Sequence, residues 1–283
     1  VVATRVKRLG LRIRPGEDVP LINPQDDPRF RTYWQTYHGL MERKGVSPEA
    51  AREIVRTRST VIAALAVKLG DADAMICGTT GRYKRHLDHV TGVIGKASET
   101  RDCSAISLVI LPSGSYFIVD TYVTADPTAE ELAEMTVLAS HHVSRFGLQP
   151  KVALLSHSNF GSGDTSSARK MRRALEILHR QHPDLEVEGE MHADAALSES
   201  IRAHIFPNSK LKGAANLLVM PTLDAANIAF NMVKASGGGL SVGPILIGTA
   251  APAHVLTPSV SARGIVNMSA IAVADAQDRT VEE

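Results

Sequence analysis

Between Ser156 and Gly163 the chain reads Ser-His-Ser-Asn-Phe-Gly-Ser-Gly, a run of small polar residues after an apolar segment and before a basic one. At a strand-to-helix junction such a run offers free amides near the positive end of a helix dipole, which attracts anions. Ser158, Asn159, Ser162 and Gly163 are the residues that would line it; a plain connecting loop accounts for them equally well. Glu190 and Asp194, in Gly-Glu-Met-His-Ala-Asp-Ala-Ala from Gly189, sit close enough to a strand end to serve as acid and base. Capping of the next helix by Asp194 is the plainer reading. Leu223-Asp224-Ala225-Ala226-Asn227 follows another apolar run, where polar residues line ligand crevices of open α/β sheets or simply cap a helix. Ser261-Ala262-Arg263-Gly264 places a guanidinium near a helix start, and its planar donor fork suits phosphate, although a solvated Arg is the commoner outcome.

Other chemistry is absent from the pattern. His86 and His89, and the pair His141-His142, lack Cys or carboxylate partners at metal-ligand spacing, so no metal site is expected. No GxGxxG follows a strand, so nothing argues for a dinucleotide fold within these residues. Tyr33, Trp34 and Tyr37 recur at helical spacing and read as packing.

The elements that would position these groups alternate between helical and extended patterns, the mark of an α/β protein. A helix is predicted from Ser47-Pro48-Glu49, with Ser as cap, Pro in the first turn and Glu at the positive end. An Ala-rich helix, Val61 to Leu69, stops at Gly70. Asp73–Gly78 reads as a buried strand. Ser104–Leu111 and Tyr116–Val123 flank the turn Pro112-Ser113-Gly114 and should pair. Thr128 and Glu131 form a capping box for a helix that Gly147 ends. Lys151–Ser156, Asn216–Pro221 and Val242–Gly248 read as strands, and 166–182 and 224–236 as helices. A last helix should follow Ser261, with a frayed polar tail after Asp275. The chain opens within an apparent helix, Val1 to Gly10, so a piece of a longer protein is expected.

Composition narrows the partners. The 283 residues are 44% hydrophobic and 22% charged, ordinary for a globular chain, and the formal net charge of +1 draws it to neither nucleic acid nor anionic membrane. Two cysteines, Cys77 and Cys103, are too few for a disulfide framework. With no membrane-length apolar run and no signal-peptide pattern, the expected location is the cytoplasm.

The order of the motifs is more specific than any one of them. LLSHSNFGSG, GEMHADAAL, GAANLLVMPTLDAANIAFNMVK and GPILIG, preceded by ERKGVSPEAA through KLGDADAMICG, closely resemble the phosphate acetyltransferase family over nearly the whole chain. The resemblance implies two α/β/α domains with a cleft between them, an isocitrate-dehydrogenase-like arrangement whose first strand and helix lie outside this chain. The first domain would be discontinuous, 1–100 and 251–283, with 101–250 inserted as the second and serving as the homodimer contact.

Departures from the family's pattern carry the functional expectation. Active members read Asp-Leu-Ser-Arg-Gly after the GPILIG-like strand, with an Asp about two helical turns beyond the Ser. Matched on Arg263-Gly264, this chain has Ala262 for the Ser and Ser269 for the Asp. Asp88-His89 falls where active members carry an Arg-Pro pair that helps hold acetyl phosphate, with Arg82, Lys84 and Arg85 near enough to compensate. The stretch PAHVLTPSVSARGIVNMSAIA is similar to the C-terminal module of hybrid malic enzymes. That resemblance implies an inactive transferase that binds acetyl-CoA as an allosteric ligand through Ser158, Asn159, Ser162, Gly163, Gly248, Arg263 and Gly264. NADP and a divalent metal would serve only a malic enzyme domain elsewhere in the same chain. The competing expectations are a working phosphate acetyltransferase and an oligomerisation scaffold that binds nothing.

Overall fold

Ser47 begins a helix for the reason its neighbours suggest: its hydroxyl accepts from the Ala50 amide at 3.2 Å while Pro48 occupies the first turn. The computed structural model describes residues 2–98 and 100–282, with side chains through 278. Its first part contains α1 (Val2–Arg8), α2 (Phe30–Met41), α3 (Pro48–Thr57), α4 (Ser59–Lys68), β1 (Met75–Gly78) and α5 (Tyr83–Val93). Helix α1 buries no residue. Tyr33, Tyr37 and Met41, spaced by one turn, pack with Val55, Leu65 and Val90 in one core. Trp34 lies at the edge of that core, with the Arg52 guanidinium 4.2 Å from its ring centroid. The aromatic group is packing, as its spacing predicts.

The second part continues with β2 (Ser104–Leu111), β3 (Gly114–Val119), α6 (Ala129–Arg145), β4 (Val152–Leu155), α7 (Ser166–Gln181) and β5 (Val187–Met191). Then come α8 (Ala193–Leu197), α9 (Glu199–Ile205), β6 (Leu217–Val219), α10 (Leu223–Ser236), β7 (Leu240–Ile247), β8 (Ala253–Leu256) and α11 (Ala262–Glu282). Six strands form one sheet in the order β5-β4-β6-β3-β2-β7, and β1 pairs with β8 in a second sheet of two. Pairing is parallel from β5 through β3, and β2 runs antiparallel to both β3 and β7.

Alternation along the strands divides the larger core into two layers. Phe117, Val119, Val152, Leu154, Leu217 and Val219 face α6 and α7. Ile118, Ala153, Leu155 and Leu218 face the opposite way, onto Ala196 of α8 and Phe230 of α10. A sheet covered on both faces needs apolar residues at every position, so these strands read as unbroken hydrophobic runs. The cores of the two sheets meet where the chain crosses from β7 to β8: Leu246 packs with Val255 and Ala253, and Met268 of α11 packs in the larger core.

Three expectations need correction. The strand predicted over Tyr116–Val123 ends at Val119, because the Asp120 carboxylate gathers the amides of Ala105, Tyr122, Val123 and Thr124 at 2.7–3.1 Å and folds the chain back. Helix α11 does not fray at Asp275 but continues to Glu282. Asp275 pairs with Arg145 at 2.9 Å, and Asp278 with the same guanidinium, which holds those turns against α6. Helices α5 and α9 and strand β8 are elements the pattern did not announce.

One buried cation holds the region after β5 together. Arg202 is 1% exposed, and its guanidinium donates to the carbonyls of Ala195, Leu211 and Gly213 at 2.7–2.9 Å. No carboxylate is involved; the carbonyls of two separate segments, α8 and 211–213, supply the acceptors. Removing the donors strands buried acceptors worth about 1–3 kcal/mol each. We predict that Arg202→Ala lowers stability by roughly 3 kcal/mol or more, read as a shift of the urea midpoint at unchanged slope.

Candidate ligand site

The candidates lie in the loop after β4 (Ser158 to Gly163), at the end of β5 and in α8 (Glu190, Asp194), at the start of α10 after β6 (Asp224, Asn227), after β7 (Gly248), in α5 after β1 (Asp88) and in α11 after β8 (Ala262, Arg263, Gly264, Ser269). In open α/β sheets the carboxyl ends of the strands are where ligands bind. The loop after β4 is tightly self-bonded. Ser158 is 1% exposed; its hydroxyl donates to Glu190 Oε1 at 2.6 Å and accepts from the Gly163 amide at 2.8 Å. The Gly161 amide donates to the same Glu190 oxygen at 3.0 Å, and the Asn159 amide to Ser162 Oγ at 2.9 Å. Asn159 Oδ1 accepts from the His192 amide at 2.7 Å, tying the loop to the end of β5. The amides an anion would use are therefore engaged within the loop.

Glu190, 1% exposed, is the anchor of that arrangement. Arg172 of α7 donates to it at 3.0 Å and also to Asp164 at 2.8 Å. An acid so enclosed holds a loop rather than shuttling a proton to substrate. Asp194 lies in the first turn of α8 and accepts from the Ala195 amide at 2.8 Å, the capping role favoured above. For α10 the cap is Thr222, whose hydroxyl accepts from the Ala225 amide at 3.3 Å. Asn227 instead donates to the Thr121 carbonyl at 3.0 Å, joining α10 to the loop after β3.

The start of α11 is different in character. Ser261 caps it by accepting from the Gly264 amide at 3.1 Å. Gly264 is buried, and a β-carbon there would lie 2.8 Å from Val260 Cγ2, so this glycine is required by packing. Arg263 is exposed and has no hydrogen-bond or ion-pair partner among the described residues. Ala262 offers no donor, and the Ser269 hydroxyl donates to the Ile265 carbonyl one turn back at 2.9 Å. The first acid along this helix is Asp275, which Arg145 and His254 already hold. Gly248 has φ +83, and a β-carbon would meet Thr100 Cγ2 at 2.9 Å and the Asp102 carbonyl oxygen at 3.1 Å. It marks a close backbone crossing. Asp88 is exposed on α5 and paired with Lys84.

Burial pushes the thiols of Cys77 and Cys103 up to about 12. Asp120 is buried with its oxygens on four amides, and burial drives its carboxyl above the usual range against them. Among the described residues no cluster of three or more His, Cys, Asp or Glu could hold a metal ion. None of the described helices is long and apolar enough to cross a membrane.

These features define an α/β protein of two sheets with an arginine at a capped helix start that has no partner among the described residues. The family description phosphate acetyl/butaryl transferase matches residues 1–273, and the chain belongs to that family. It is 56% identical over 97% of its length to an NAD-dependent malic enzyme of Rhizobium meliloti, of which it covers 36%. It is 50% identical over 98% of its length to the NADP-dependent malic enzyme of Escherichia coli, covering 37% of that protein. The chain thus spans little more than a third of the malic enzymes it matches. Similarity to the phosphate acetyltransferase of Corynebacterium glutamicum is 32% over 99% of this chain and 84% of that one. In structure it matches a phosphotransacetylase from Streptococcus pyogenes with a TM-score of 0.90 at 29% identity, covering 98% of this chain and 83% of the other.

A titratable junction joins β8 to α11. His254 Nε2 is 3.2 Å from Asp275 Oδ2 but off the line of a straight hydrogen bond, and His142 stands nearby. Burial pushes the His142 imidazole down to about 4, whereas an unfolded His titrates near ~6.5. Between these values the unfolded chain binds the extra proton, so stability falls as pH drops from about 6.5 to about 4. Burial would raise the Asp275 carboxyl, yet His254, His142 and Arg145 together hold it below the usual range. Its contribution is lost only at lower pH still. We predict that the thermal midpoint falls steadily from pH 7 to pH 4, and that His142→Gln flattens that decline.

Proposed function

We propose that this chain is the acetyl-CoA-sensing module of a malic enzyme and has no phosphate acetyltransferase activity of its own. The observation that carries the reading is the first two turns of α11, where Ala262 and Ser269 replace a hydroxyl and a carboxylate while Arg263 remains exposed. Acetyl transfer requires deprotonation of the CoA thiol, whose ordinary pKa near ~8.5 leaves little thiolate at neutral pH. Losing the general base costs on the order of 10²–10⁴ in rate. Losing a hydroxyl donor to the developing charge costs roughly 3 kcal/mol more in a buried site. Arg263, unpaired at a helix start, still suits a phosphate of the nucleotide part. On this reading Gly264, Gly248 and the Ser158–Gly163 loop would complete the site, and within that loop Ser162 is exposed and Asn159 half-buried.

The parent protein would decarboxylate malate oxidatively to pyruvate, with NADP and a divalent metal held outside these residues. Support for that parent is the high identity to malic enzymes over nearly the full length of this chain. Binding here can alter the parent only if acetyl-CoA favours one arrangement of the assembly over another. Self-association through the six-stranded part is supported by Ile228 and Met232, one turn apart on α10 and 58% and 63% exposed. A cytoplasmic location fits two free thiols and the lack of a membrane-length apolar helix among the described residues.

Calorimetry of the 283-residue chain with acetyl-CoA tests the reading. We predict saturable binding that Arg263→Gln weakens at least tenfold, about 1.4 kcal/mol. No heat and no thermal shift at millimolar acetyl-CoA would leave only the scaffold reading.

A further inference from the structure

Strand β5 is the outer strand of the six-stranded sheet, and a cavity of about 460 Å³ runs beside it, between α7 and the chain that follows α9. The edge itself is closed to a further strand. The Val152 amide of β4 donates to the Glu186 carbonyl, so strand alternation turns the backbone groups of Val187 and Gly189 outward. His179 Nε2 donates to the Val187 carbonyl at 3.2 Å, and the Gly189 amide donates to Glu188 Oε1 at 3.1 Å. With both groups taken by side chains of this chain, no peptide extends the sheet here. What the cavity offers instead is a flat apolar wall and a buried acceptor. Phe160 and Phe206 stack with ring centroids 4.6 Å apart and planes at 21°, and both residues are half-buried. Phe160 takes that place at φ +48, a left-handed conformation costly for a bulky residue, with its amide on the Glu190 carbonyl at 2.7 Å. Glu190 lines the same cavity. Its Oε1 accepts from Ser158, Gly161 and Arg172, whereas its buried Oε2 has no partner among the described residues. Asn208 and Lys210 also line it; both are exposed, and neither side chain has a hydrogen-bond or ion-pair partner among the described residues.

A buried acceptor without a donor is costly, and a ligand that brings one relieves it. Backbone strain kept beside it is a feature that ligand sites retain. The matching ligand is planar, presents an N–H donor at its edge and carries an anion for Lys210. Adenine has that edge: its 6-amino group donates, its ring nitrogens accept from the Asn208 amide, and its face stacks on an aromatic side chain. A carboxylate or a bare phosphate dianion has no donor for Glu190 and no face for Phe160 or Phe206. The cavity is also of the size that small-molecule sites occupy. We propose that this cavity beside β5 binds the adenine ring of a nucleotide, with the ring against Phe160 and Phe206, its amino group on Glu190 and a phosphate at Lys210. Two sources carry such a ring, a free adenosine phosphate and acetyl-CoA; only the second rests on the reading of α11. Because Glu190 braces the Ser158–Gly163 loop through its other oxygen, occupancy of the cavity bears on that loop.

The test is calorimetric titration of the chain with AMP, compared with purine riboside 5′-monophosphate, which lacks only the 6-amino group. AMP should saturate and bind roughly fivefold or more tightly than the comparison. Phe206→Ala should weaken AMP by roughly fivefold or more. Should that variant unfold at a lower temperature, Phe206→Trp, which keeps a ring face, must retain the affinity. Lys210 is exposed, so Lys210→Gln should unfold at the wild-type temperature, weaken AMP and leave adenosine unchanged. Titration with acetyl-CoA separates the sources. If CoA brings the ring, acetyl-CoA displaces AMP and Phe206→Ala weakens both. If a free nucleotide is the ligand, acetyl-CoA binds variant and wild type alike and leaves AMP in place. Equal affinity for the two monophosphates, or AMP binding indifferent to both substitutions, overturns the proposal. So does a lack of saturable AMP heat, unless Phe206→Ala weakens acetyl-CoA. Failure of acetyl-CoA to bind at all, with AMP binding intact, sinks the reading of α11 and leaves this one standing.

Discussion

A single buried imidazole joins the two sheets. His254 lies on β8 of the smaller sheet and is fully buried. Its Nδ1 accepts from the Leu246 amide of β7, the edge of the larger sheet, at 3.2 Å. That bond leaves the ring proton on Nε2, which faces Asp275 of α11. Asp275 in turn pairs with Arg145 of α6. Four elements therefore meet through three side chains, and the far end of α11 is held while its first turn carries the exposed Arg263. A buried charge pair of this kind adds little net stability, since desolvation opposes attraction, but it specifies one arrangement of the parts.

That fixed helix bears directly on function. The chain keeps the family's frame around the carboxyl ends of the strands, including a loop after β4 braced by Glu190 and Arg172. It lacks an acid within reach along the first turns of α11, and the hydroxyl that stands there is bonded to its own backbone. On the reading proposed above, such a scaffold is suited to recognition without turnover. Fold alone does not separate that reading from an active transferase, because function resides in the site.

Much of the frame was legible from residues. The Ser47 cap, the Thr128–Glu131 box and the one-turn spacing of Tyr33, Tyr37 and Met41 all act locally, and the structure places each as its neighbours imply. Strand β8 was not legible, because Ala253–Leu256 is short and its apolar residues are explained only by pairing with β1. Helix α5 begins at Tyr83 with no side-chain cap, so nothing near Arg82 signals a start. The early end of β3 depends on Asp120 reaching the Ala105 amide in another strand, a contact invisible to spacing. At the site, the small residues from Ser158 to Gly163 suggested an open anion cradle. Only the depth of Glu190, a residue far along the chain, reveals that the loop closes on itself.

The account rests on the missing proton acceptor. Its most direct test is continuous measurement of acetyl-CoA formation from acetyl phosphate and CoA by the purified chain at neutral pH. The account predicts a rate no greater than that without protein. Turnover that scales with protein and disappears in Arg263→Ala would contradict it.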